Sequence, residues 1–566
     1  MDSSTSHPPL PLQPSNTVLL LFLSLLLLLP PSAISTPTPN PASINSSSLP
    51  DARLATIRSL CKSTPHPDAC FDSLKLTINI NIIPNILGFV FQVLQSAINE
   101  AAKLSPLFAA PTGIIEKLRG SLQDCRELHE ATLISLRKSS SLVQSGRNLS
   151  DVRTHLSAAL TNRATCLEGL ASATGPLKRV LLSSVAAAYK HVTNSLAMLP
   201  KEPRRGHPKE GRQQRRRRRL LGTAADGGFP AWLSHRDRRL LQSSDDDDNG
   251  YDTLSILTVA ADGTGNFTTV SGAIAFAPNN SADRTIIIVR AGVYEENVEV
   301  PSYKPNLVLL GDGSDVTIIR GIRSNSDGWT TFRSATVAVS AEGFLARDIA
   351  FDNAAGVTKG QAVALRVNAD LVAFYRCAMT GYQDTLYVHT FRQFYRECDI
   401  FGTIDFIFGN AAVVFQGCKI YARVPIPGQA NAITAQGRDD PNENTGISIQ
   451  NCSIMASGEL TRSGQAIKTY LGRPWKLYSR TVYMQSFIDG LVDPAGWAEW
   501  VGDEGLKTLY YGEYDNTGPG SGTDDRVTWP GYHVMTYDDA IGFTVTELIA
   551  GDQWLQSTSF PFDDWV

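Results

Sequence analysis

A short segment that recurs about every 20 residues constrains the fold of the second half of this chain more than any other feature. Each copy is a Cys, Ser or Arg followed two residues later by Ile or Met, and Gly, Asn and Asp turns separate the strand-like runs. A period near 20 with insertions is typical of stacked coils whose extra residues form loops on one face. The pattern favours a right-handed parallel β-helix, and strand content alone leaves a β-sandwich open. The copies begin, in steps of 30, 21, 20, 34 and 34 residues, at Arg347, Cys377, Cys398, Cys418, Cys452 and Ser486.

Four cysteines of the repeat predict a ladder along the coils. Cys377 and Cys398 are 21 residues apart and would stack in neighbouring coils. Cys418 and Cys452 would do likewise if the residues between them include a long loop. The eight cysteines of the chain fit an oxidising compartment, and without a C-x-x-C pair they do not suggest zinc. We therefore expect a Cys418–Cys452 disulfide, with Cys377–Cys398 a second candidate, and buried apolar thiols as the alternative.

Two aspartates share the spacing of the ladder. Asp384 and Asp405 lie 21 residues apart among apolar and aromatic residues, which would place them on one face in adjacent coils. Gln361 precedes Gln383 by 22 residues, so an amide would join the same row. Two close carboxyls ionise unequally, which leaves one as a proton donor and the other as a nucleophile or base. Neighbouring amides can stabilise an oxyanion. The alternative is that both aspartates are turn residues that satisfy backbone groups.

The segment LGRPWKLYSR, residues 471–480, supplies two further candidates. Arg473 can pair bidentately with a carboxylate, either that of Asp405 or that of a uronate substrate. Trp475 can stack on a sugar face, and core packing is its alternative role. His389 lies close in sequence to the aspartates, but a lone histidine predicts no role.

The rest of the chain differs from the repeat region. The 566 residues exceed one ordinary core, so at least two folded units are expected. The net charge of −4 is unevenly spread, with basic residues crowded between 201 and 240, and gives no case for nucleic acid binding. The apolar run at 18–29 suits a signal peptide and is short for a membrane span of ~20 residues. An uncleaved membrane anchor is the alternative.

Composition shifts divide the chain into five segments. Leu, Ala, Ser and Lys recur at helical spacing before residue 200, which predicts a small helical bundle. The basic segment that follows is either a pair of processing sites or a solvated basic patch. The division is a signal peptide or anchor at 1–35, a linker at 36–51, a helical domain at 52–199, a basic processing linker at 200–242 and a catalytic β-helix at 243–566.

The repeat region resembles plant pectin methylesterases, whose fold is a right-handed parallel β-helix. Eight blocks match in order over about 310 residues, too many for coincidence. The blocks are DGTGNFTTV (262–270), QAVALR (361–366), GYQDTLYVH (381–389), GTIDFIFGNAAVVFQ (402–416), TAQGR (434–438), LGRPW (471–475), YYGEY (510–514) and WPGYHV (529–534).

The helical segment resembles the pectin methylesterase inhibitor family, a four-helix bundle after an N-terminal hairpin. The matching motifs are CKSTPHPDAC (61–70) and ALTNRATCLEG (159–169), with His66 where that family often has Tyr. The resemblance implies the disulfides Cys61–Cys70 and Cys125–Cys166. Together the two parts resemble the precursor of the plant enzyme, in which processing would occur after the paired arginines Arg218, Arg219, Arg238 and Arg239.

The resemblance also implies roles for the candidate residues. Asp405 matches the family's nucleophile and Asp384 its proton donor, whereas Gln383 and Gln361 match amides that stabilise the oxyanion. Arg473 and Trp475 match substrate-binding positions, as Thr331 does in a less distinctive stretch. The implied reaction is acyl transfer at a methyl ester, and it requires no metal or other cofactor.

Alternatives differ in product or in the part that acts. A polygalacturonase-like glycosidase would release reducing ends, and a calcium-dependent lyase would give an unsaturated product. The helical domain could instead act as an inhibitor or binding protein, and in the enzyme it would either restrain activity or aid folding until cleavage. The expected partners of a secreted, monomeric cell-wall enzyme are methyl-esterified homogalacturonan, inhibitor-like proteins and a processing protease.

Overall fold

Helices precede residue 200 and short strands follow residue 255. The computed structural model describes residues 48–75, 85–109, 114–200 and 256–566. Residues 50–566 form one compact unit. None of the helices in these ranges is long and apolar enough to cross a membrane. The apolar run at 18–29 and the predicted processing residues Arg218, Arg219, Arg238 and Arg239 lie outside the described residues.

Four long helices pack side by side in the N-terminal part, as the periodicity predicts. Helix α5 packs on α3 and α6, and α7 packs on the same two helices. Inside the bundle the hydroxyl of Thr132 accepts hydrogen bonds from Asn162 and Tyr189, at 3.2 and 3.0 Å, which ties three helices together. The helices are α1 Ser48–Lys62, α2 Pro67–Leu74, α3 Ile86–Ala102, α4 Ser105–Ala109, α5 Ser121–Ser145, α6 Leu149–Gly169 and α7 Lys178–Met198.

Three parallel sheets form the rest of the chain, and each coil contributes one strand to each sheet in turn, so the repeat region is a parallel β-helix. Sheet 1 contains, in spatial order, β1 Ile256–Val259, β2 Thr285–Val289, β5 Leu307–Gly311, β8 Leu345–Arg347, β11 Val372–Tyr375, β14 Arg392–Arg396, β17 Ala412–Gln416, β20 Gly446–Gln450, β23 Arg480–Met484, β25 Tyr510–Tyr514 and β26 Tyr532–Val534.

Sheet 2 has the candidate site at the start of two of its central strands. It contains, in spatial order, β22 Thr469–Gly472, β19 Asn431–Gln436, β16 Ile404–Gly409, β13 Leu386–Val388, β10 Leu365–Val367, β7 Val337–Val339 and β4 Val298–Val300. Sheet 3 contains β24 Phe487–Ile488, β21 Ser453–Ala456, β18 Lys419–Ala422, β15 Asp399–Gly402, β12 Ala378–Thr380, β9 Ala350–Asn353, β6 Thr317–Gly321 and β3 Gly292–Glu295.

Identical side-chain positions stack along the interior of the coils. The rings of Phe374, Tyr395 and Phe415 lie parallel in successive coils, with centroids 4.8 and 4.7 Å apart. That separation equals the spacing of hydrogen-bonded strands, so each coil repeats the packing of the one before it. The interior is continuous from β1 to β25, and burial of this apolar column is the main force that stabilises the β-helix.

Short helices close the remaining surfaces. The second of the three helices after β26 packs, through Val545 and Ile549, on the outer face of sheet 1 at Val414. The additional helices are α8 Val270–Phe276, α9 Gly458–Ser463, α10 Tyr537–Ile541, α11 Val545–Ile549 and α12 Gly551–Trp554, and the short 3₁₀ turns are Phe332–Ser334, Val357–Lys359 and Leu555–Thr558.

The strand register confirms four of the five repeat steps and corrects the first. Ala378 pairs with Ala350, so the partner of Cys377 is Ile349 rather than Arg347, and the first step is 28 residues instead of 30. The residue before each of these positions turns the chain from sheet 1 into sheet 3 in a left-handed conformation, with φ of 54° at Asp348 and 52° at Arg376. This turn, not the residue type, defines the repeat.

The predicted disulfides of the β-helix are wrong, because Cys377, Cys398, Cys418 and Cys452 are all free and buried. Their neighbours pair in register, so the ladder itself exists. The Cα separation of stacked coils, about 4.8 Å, lies within the range that a disulfide spans, so the spacing alone does not decide whether stacked cysteines bond. The thiols instead donate to backbone carbonyls, as Cys398 does to Arg396 at 3.4 Å. The two disulfides present, Cys61–Cys70 and Cys125–Cys166, are those that the resemblance implies.

Thiol labelling tests this division of the cysteines. We expect no reaction with a thiol reagent in the native protein, and four labelled cysteines, at 377, 398, 418 and 452, after unfolding without reductant. Peptide mass spectrometry locates the labels. Fewer than four labels, or labels at Cys61 or Cys70, would contradict the structure.

Candidate active site

Asp384 and Asp405 stand in equivalent positions of neighbouring coils. Leu386 pairs with Ile407, so the step of 21 residues places the two aspartates side by side at the start of β13 and β16. Both have left-handed backbone conformations, with φ of 61° and 53°. The backbone N–H of Asp384 donates to the carbonyl of Ile404 at 3.0 Å, which holds the two coils together at this point.

The left-handed backbone at these aspartates indicates a functional constraint. Non-glycine residues in this region cost of order 1–3 kcal/mol and cluster at sites where a side chain must be aimed. The pairing of β16 with β19 also shifts register between Ile404 and Ile407, so Asp405 lies in a bulge. Bulges redirect a side chain and often adjoin active sites. A role as a turn residue would therefore explain the left-handed backbone of Asp405, but it would not explain the placement of its carboxylate.

The carboxylate of Asp405 is bound by Arg473 from the loop after β22. Nε of Arg473 donates to Oδ1 of Asp405 at 2.7 Å, and Nη2 donates to Oδ2 at 2.6 Å. Such a bidentate pair fixes both the charge and the plane of the carboxylate. The backbone N–H of Arg473 donates to Thr434 in the next coil, at 3.0 Å, which positions the arginine.

Charge is divided unequally between the two carboxyls. Burial raises the pKa of Asp384 well above its ordinary value, and the neighbouring charge of Asp405 raises it further. Burial also raises the pKa of Asp405, but the two hydrogen bonds from Arg473 act against that rise. The shared proton therefore resides on Asp384, while Asp405 is the anion.

Trp500 belongs to the site, and the sequence did not reveal it. The guanidinium of Arg473 lies 4.3 Å from the centroid of its indole ring. The aromatic face and Asp405 together hold the arginine in one orientation. The only available signal was a second tryptophan in the short stretch GWAEW, residues 496–500, which has no spacing in common with the repeat.

Trp475 forms part of an open aromatic surface. Its ring meets Phe408 edge to face, with centroids 6.1 Å apart, and it is half-buried rather than enclosed in the core. A Cβ on Gly437 would lie 2.8 Å from the indole, so this position needs glycine to let the ring lie flat. The geometry fits a stacking surface better than core packing.

The two glutamines occupy equivalent positions of neighbouring coils, before β10 and β13, as their spacing of 22 residues predicts. The backbone N–H of Ala362 donates to the carbonyl of Gln383 at 3.2 Å, as that of Asp384 does to Ile404, so Ala362 aligns with Asp384 and Gln361 with Gln383. Both side chains are half-buried. Thr331 is also half-buried and lies farther away, in the coil that leads to β7, two coils before that of Asp384.

Helix α6 covers the outer face of sheet 2 next to these residues. Thr165 lies 2.8 Å from Nε2 of His389 and 3.4 Å from the hydroxyl of Tyr387. The amide of Asn410 donates to Thr161 at 2.9 Å. His389 is fully buried, and burial and the charge of Arg366 hold its pKa well below the ordinary value.

A cleft of about 180 Å³ remains between the helices and this face. Tyr387, Trp475 and Glu443 line it from the β-helix, and Arg163 and Glu168 line it from α6. Lys476, beside Trp475, pairs with Glu168 at 2.6 Å. Burial raises the pKa of Glu443 to about 7. The residues described by the structure contain no cluster of metal ligands.

Infrared difference spectra test where the proton resides. Because burial and the charge of Asp405 raise the folded-state pKa of Asp384 well above 3.8, its carboxyl stays protonated at pH values where a free aspartate is already ionised, and it loses the proton as pH rises further. We expect a protonated-carboxyl band in the wild-type spectrum that Asp384→Asn removes and Asp327→Asn, at an exposed position, retains. Identical spectra for wild type and Asp384→Asn above pH 5 would place the proton elsewhere.

Comparison with known proteins agrees with this geometry. The family model described as pectinesterase matches residues 256–552, and that described as plant invertase/pectin methylesterase inhibitor matches residues 55–198. The chain is 59% identical over 515 residues to "Probable pectinesterase/pectinesterase inhibitor 12" of Arabidopsis thaliana, covering 90% of this chain and 93% of that protein. It is 45% identical over 526 residues to "Pectinesterase 1" of Citrus sinensis, covering 90% and 88%.

A solved structure matches the β-helix. Pectin methylesterase from carrot superposes with a TM-score of 0.54 at 54% sequence identity, and the match covers 57% of this chain and 100% of the carrot chain. The solved carrot chain therefore has no counterpart of the remaining part of this chain.

Proposed function

The chain belongs to the pectinesterase family, and on that premise we propose how its residues hydrolyse the methyl esters of pectin. It is a pectin methylesterase with an inhibitor-like helical domain. The observation that carries the proposal is the buried carboxyl pair in which Arg473 binds Asp405 bidentately and leaves Asp384 the protonated partner. This arrangement supplies a nucleophile and an acid side by side.

In the first step Asp405 attacks the ester carbonyl at C6 of a galacturonate. The amides of Gln361 and Gln383 donate to the oxyanion that forms, an effect of ~2.7–4 kcal/mol per donor in comparable sites. When the C–O bond to the methoxyl group breaks, Asp384 gives its proton to the leaving methanol. The product of this step is an acyl-enzyme in which Asp405 carries the galacturonyl group.

Water completes the reaction. Asp384, now ionised, takes a proton from the water that attacks the acyl carbonyl, and the oxyanion again accepts hydrogen bonds from the glutamines. Collapse of the intermediate restores Asp405 as the anion bound to Arg473 and releases the galacturonic acid, which loses the second proton of the water to solvent. Asp384 regains its proton, so the site returns to its initial charge state without a metal or other cofactor.

The substrate proposed is methyl-esterified homogalacturonan. Trp475 offers an aromatic face beside the nucleophile, and Gly437 leaves room for the ring to lie flat. Sugar rings stack on such faces. Thr331, two coils away, would contact the same polymer farther along the sheet, because a linear polysaccharide can follow the axis of the β-helix.

We also propose that the helical domain restrains the enzyme until it is removed. Helix α6 occupies the outer face of sheet 2 at His389, Tyr387 and Asn410, where a polysaccharide next to Asp405 would have to lie. Cleavage after the paired arginines of segment 200–242 would free residues 243–566. On this proposal the precursor enters the secretory pathway through residues 1–35, and the monomeric product acts in the cell wall.

Substitution of the two aspartates tests the mechanism. In residues 243–566, Asp405→Asn should lower kcat for methanol release by ~10⁴-fold or more, because the nucleophile is lost. Asp384→Asn should lower kcat by ~10²–10⁴-fold, the range for a general acid, with substrate binding retained in both variants. Asp399→Asn, on sheet 3 in the adjoining coil, is the control. An Asp405→Asn variant with more than a tenth of wild-type turnover would exclude Asp405 as nucleophile.

The restraint is tested with an uncleavable full chain that carries Arg218, Arg219, Arg238 and Arg239 all changed to Ala. We expect residues 243–566 to release methanol at least tenfold faster than this chain at equal concentration. Asp151→Lys in the uncleavable chain should recover part of the activity, because it opposes Arg392, the present partner of Asp151 at 2.8 Å. Equal activity of fragment and chain, with poor refolding of the fragment, would assign the helical domain a folding role instead.

A further inference from the structure

A carboxylate of the helical domain is bound in a polar pocket on the catalytic part. Oδ1 of Asp124, on α5, accepts from Nε of Arg333 at 2.9 Å and pairs with Nη2 at 2.7 Å. The hydroxyl of Thr330 donates to Oδ2 of the same carboxylate. Thr330 and Arg333 are only 3% and 5% exposed. Three donors thus converge on one carboxylate. A guanidinium and a hydroxyl placed in this way can bind any carboxylate that reaches the pocket.

The pocket is built by the catalytic part itself. The backbone N–H of Arg333 donates to the hydroxyl oxygen of Thr330 at 3.1 Å, which orients both donors. Glu299 of β4 accepts from Nη1 of Arg333 at 3.1 Å and leaves the Nε–Nη2 edge to Asp124. Glu127 of α5 is a second acceptor for Nη2, at 2.8 Å. The edge that faces the helices therefore holds carboxylates of the helical domain only.

A second guanidinium stands beside the pocket. Arg366 projects outward from β10, and its charge lies 3.5 Å from the centroid of Phe332, whose ring also lies 6.0 Å from Arg333. Arg366 is 2% exposed, and its Nε has no hydrogen-bond partner among the described residues. A buried guanidinium with an unused donor is costly in a protein interior. The unused donor of Arg366 is explained if this surface binds an anion when the helices are absent.

The pocket lies on the same outer surface as the catalytic pair. Arg366 pairs in register with Tyr387, and Tyr387 with Phe408, so these residues form one row across sheet 2. The pocket precedes β7 and Asp405 starts β16, which is three strands away in the sheet. At the strand spacing this separation is about 14 Å along the axis. A polymer bound at Asp405 along this axis would reach the pocket with a different sugar unit.

We propose that Arg333 and Thr330, with Arg366 beside them, form a subsite for the free carboxylate of an unesterified galacturonate, and that Asp124 occupies this subsite in the intact chain. The inference rests on the proposed function and names a determinant of its substrate preference. A uronate carboxylate has the same shape and charge as that of Asp124, whereas a methyl ester has lost the charge. The enzyme would therefore prefer chains that already contain free uronates on one side of the reacting ester, which are products of its own reaction.

The test compares two substrates with one variant of residues 243–566, the part to which the solved carrot chain corresponds in length. Arg333→Gln should raise KM about tenfold for partly de-esterified galacturonan and leave KM for the fully methyl-esterified polymer and both kcat values unchanged. Inhibition by unesterified oligogalacturonate should weaken by a similar factor. Arg333→Lys should retain part of the preference, because the charge remains.

Arg320→Gln is the matched control, since Arg320 pairs with Asp352 on sheet 3 at 2.7 Å. It should change neither substrate's kinetics. If Arg333→Gln fails to fold, Thr330→Val removes one donor and should raise the same KM about threefold. Equal effects on both substrates, or unchanged oligogalacturonate inhibition, would overturn the subsite while the esterase mechanism stands. Full turnover by Asp405→Asn would instead overturn the mechanism. The effect of Arg333→Gln on the two substrates could still be compared in that case.

Discussion

Leu386 pairs with Ile407 and Tyr387 with Phe408, and the catalytic arrangement depends on this register. Because side chains alternate between the two faces of a strand, a slip of one residue would turn one aspartate into the core and the other to the surface. The apolar column opposes such a slip, since the rings of Phe374, Tyr395 and Phe415 stack on one another in successive coils. The packing of the core thus fixes the distance between Asp384 and Asp405, although neither residue belongs to it.

The same register determines where the charge resides. Two buried carboxyls in adjacent coils cannot both ionise without a counter-ion, and only Asp405 has one, in Arg473 from the loop after β22. Arg473 is held in turn by the backbone of Thr434 and by the face of Trp500. The division into an acid and a nucleophile is therefore a property of three coils and a loop. It explains why the essential residues are spread over 90 positions between 384 and 473.

The spacing of the sequence predicts the coils and the alignment of the two aspartates, because both follow from a period that any stacked coil must keep. It fails where local geometry decides. The cysteine ladder has the expected register, but its four thiols are free, which spacing alone cannot show. The first repeat is displaced by two residues because the left-handed turn at Asp348, rather than a cysteine, defines it. Trp500 and the pocket at Arg333 lie in loops without periodicity, so only the folded chain brings them to the site.

The contacts between the helical domain and sheet 2 are of two kinds. Apolar residues of the sheet surface, Ala338, Phe408 and Ala435, merge with the core of the bundle. Around them, carboxylates of the helices pair with cations of the β-helix, as Asp124 does with Arg333 and Glu168 with Lys476. Since pectin is itself a polyanion, the cations that would hold the substrate are those that hold the helices.

This shared use of cations explains why a covalent link matters. A tethered domain meets its surface at an effective concentration that reaches the millimolar range for short linkers, so modest contacts suffice to keep the surface covered. Once the link is cut, the helical domain competes as a separate molecule against a polymer that presents many carboxylates at once. Each turnover adds one carboxylate to the polymer, whereas the number of carboxylates on the helical domain stays constant. Removal of the helices and progress of the reaction would therefore favour the same outcome, a surface occupied by de-esterified pectin.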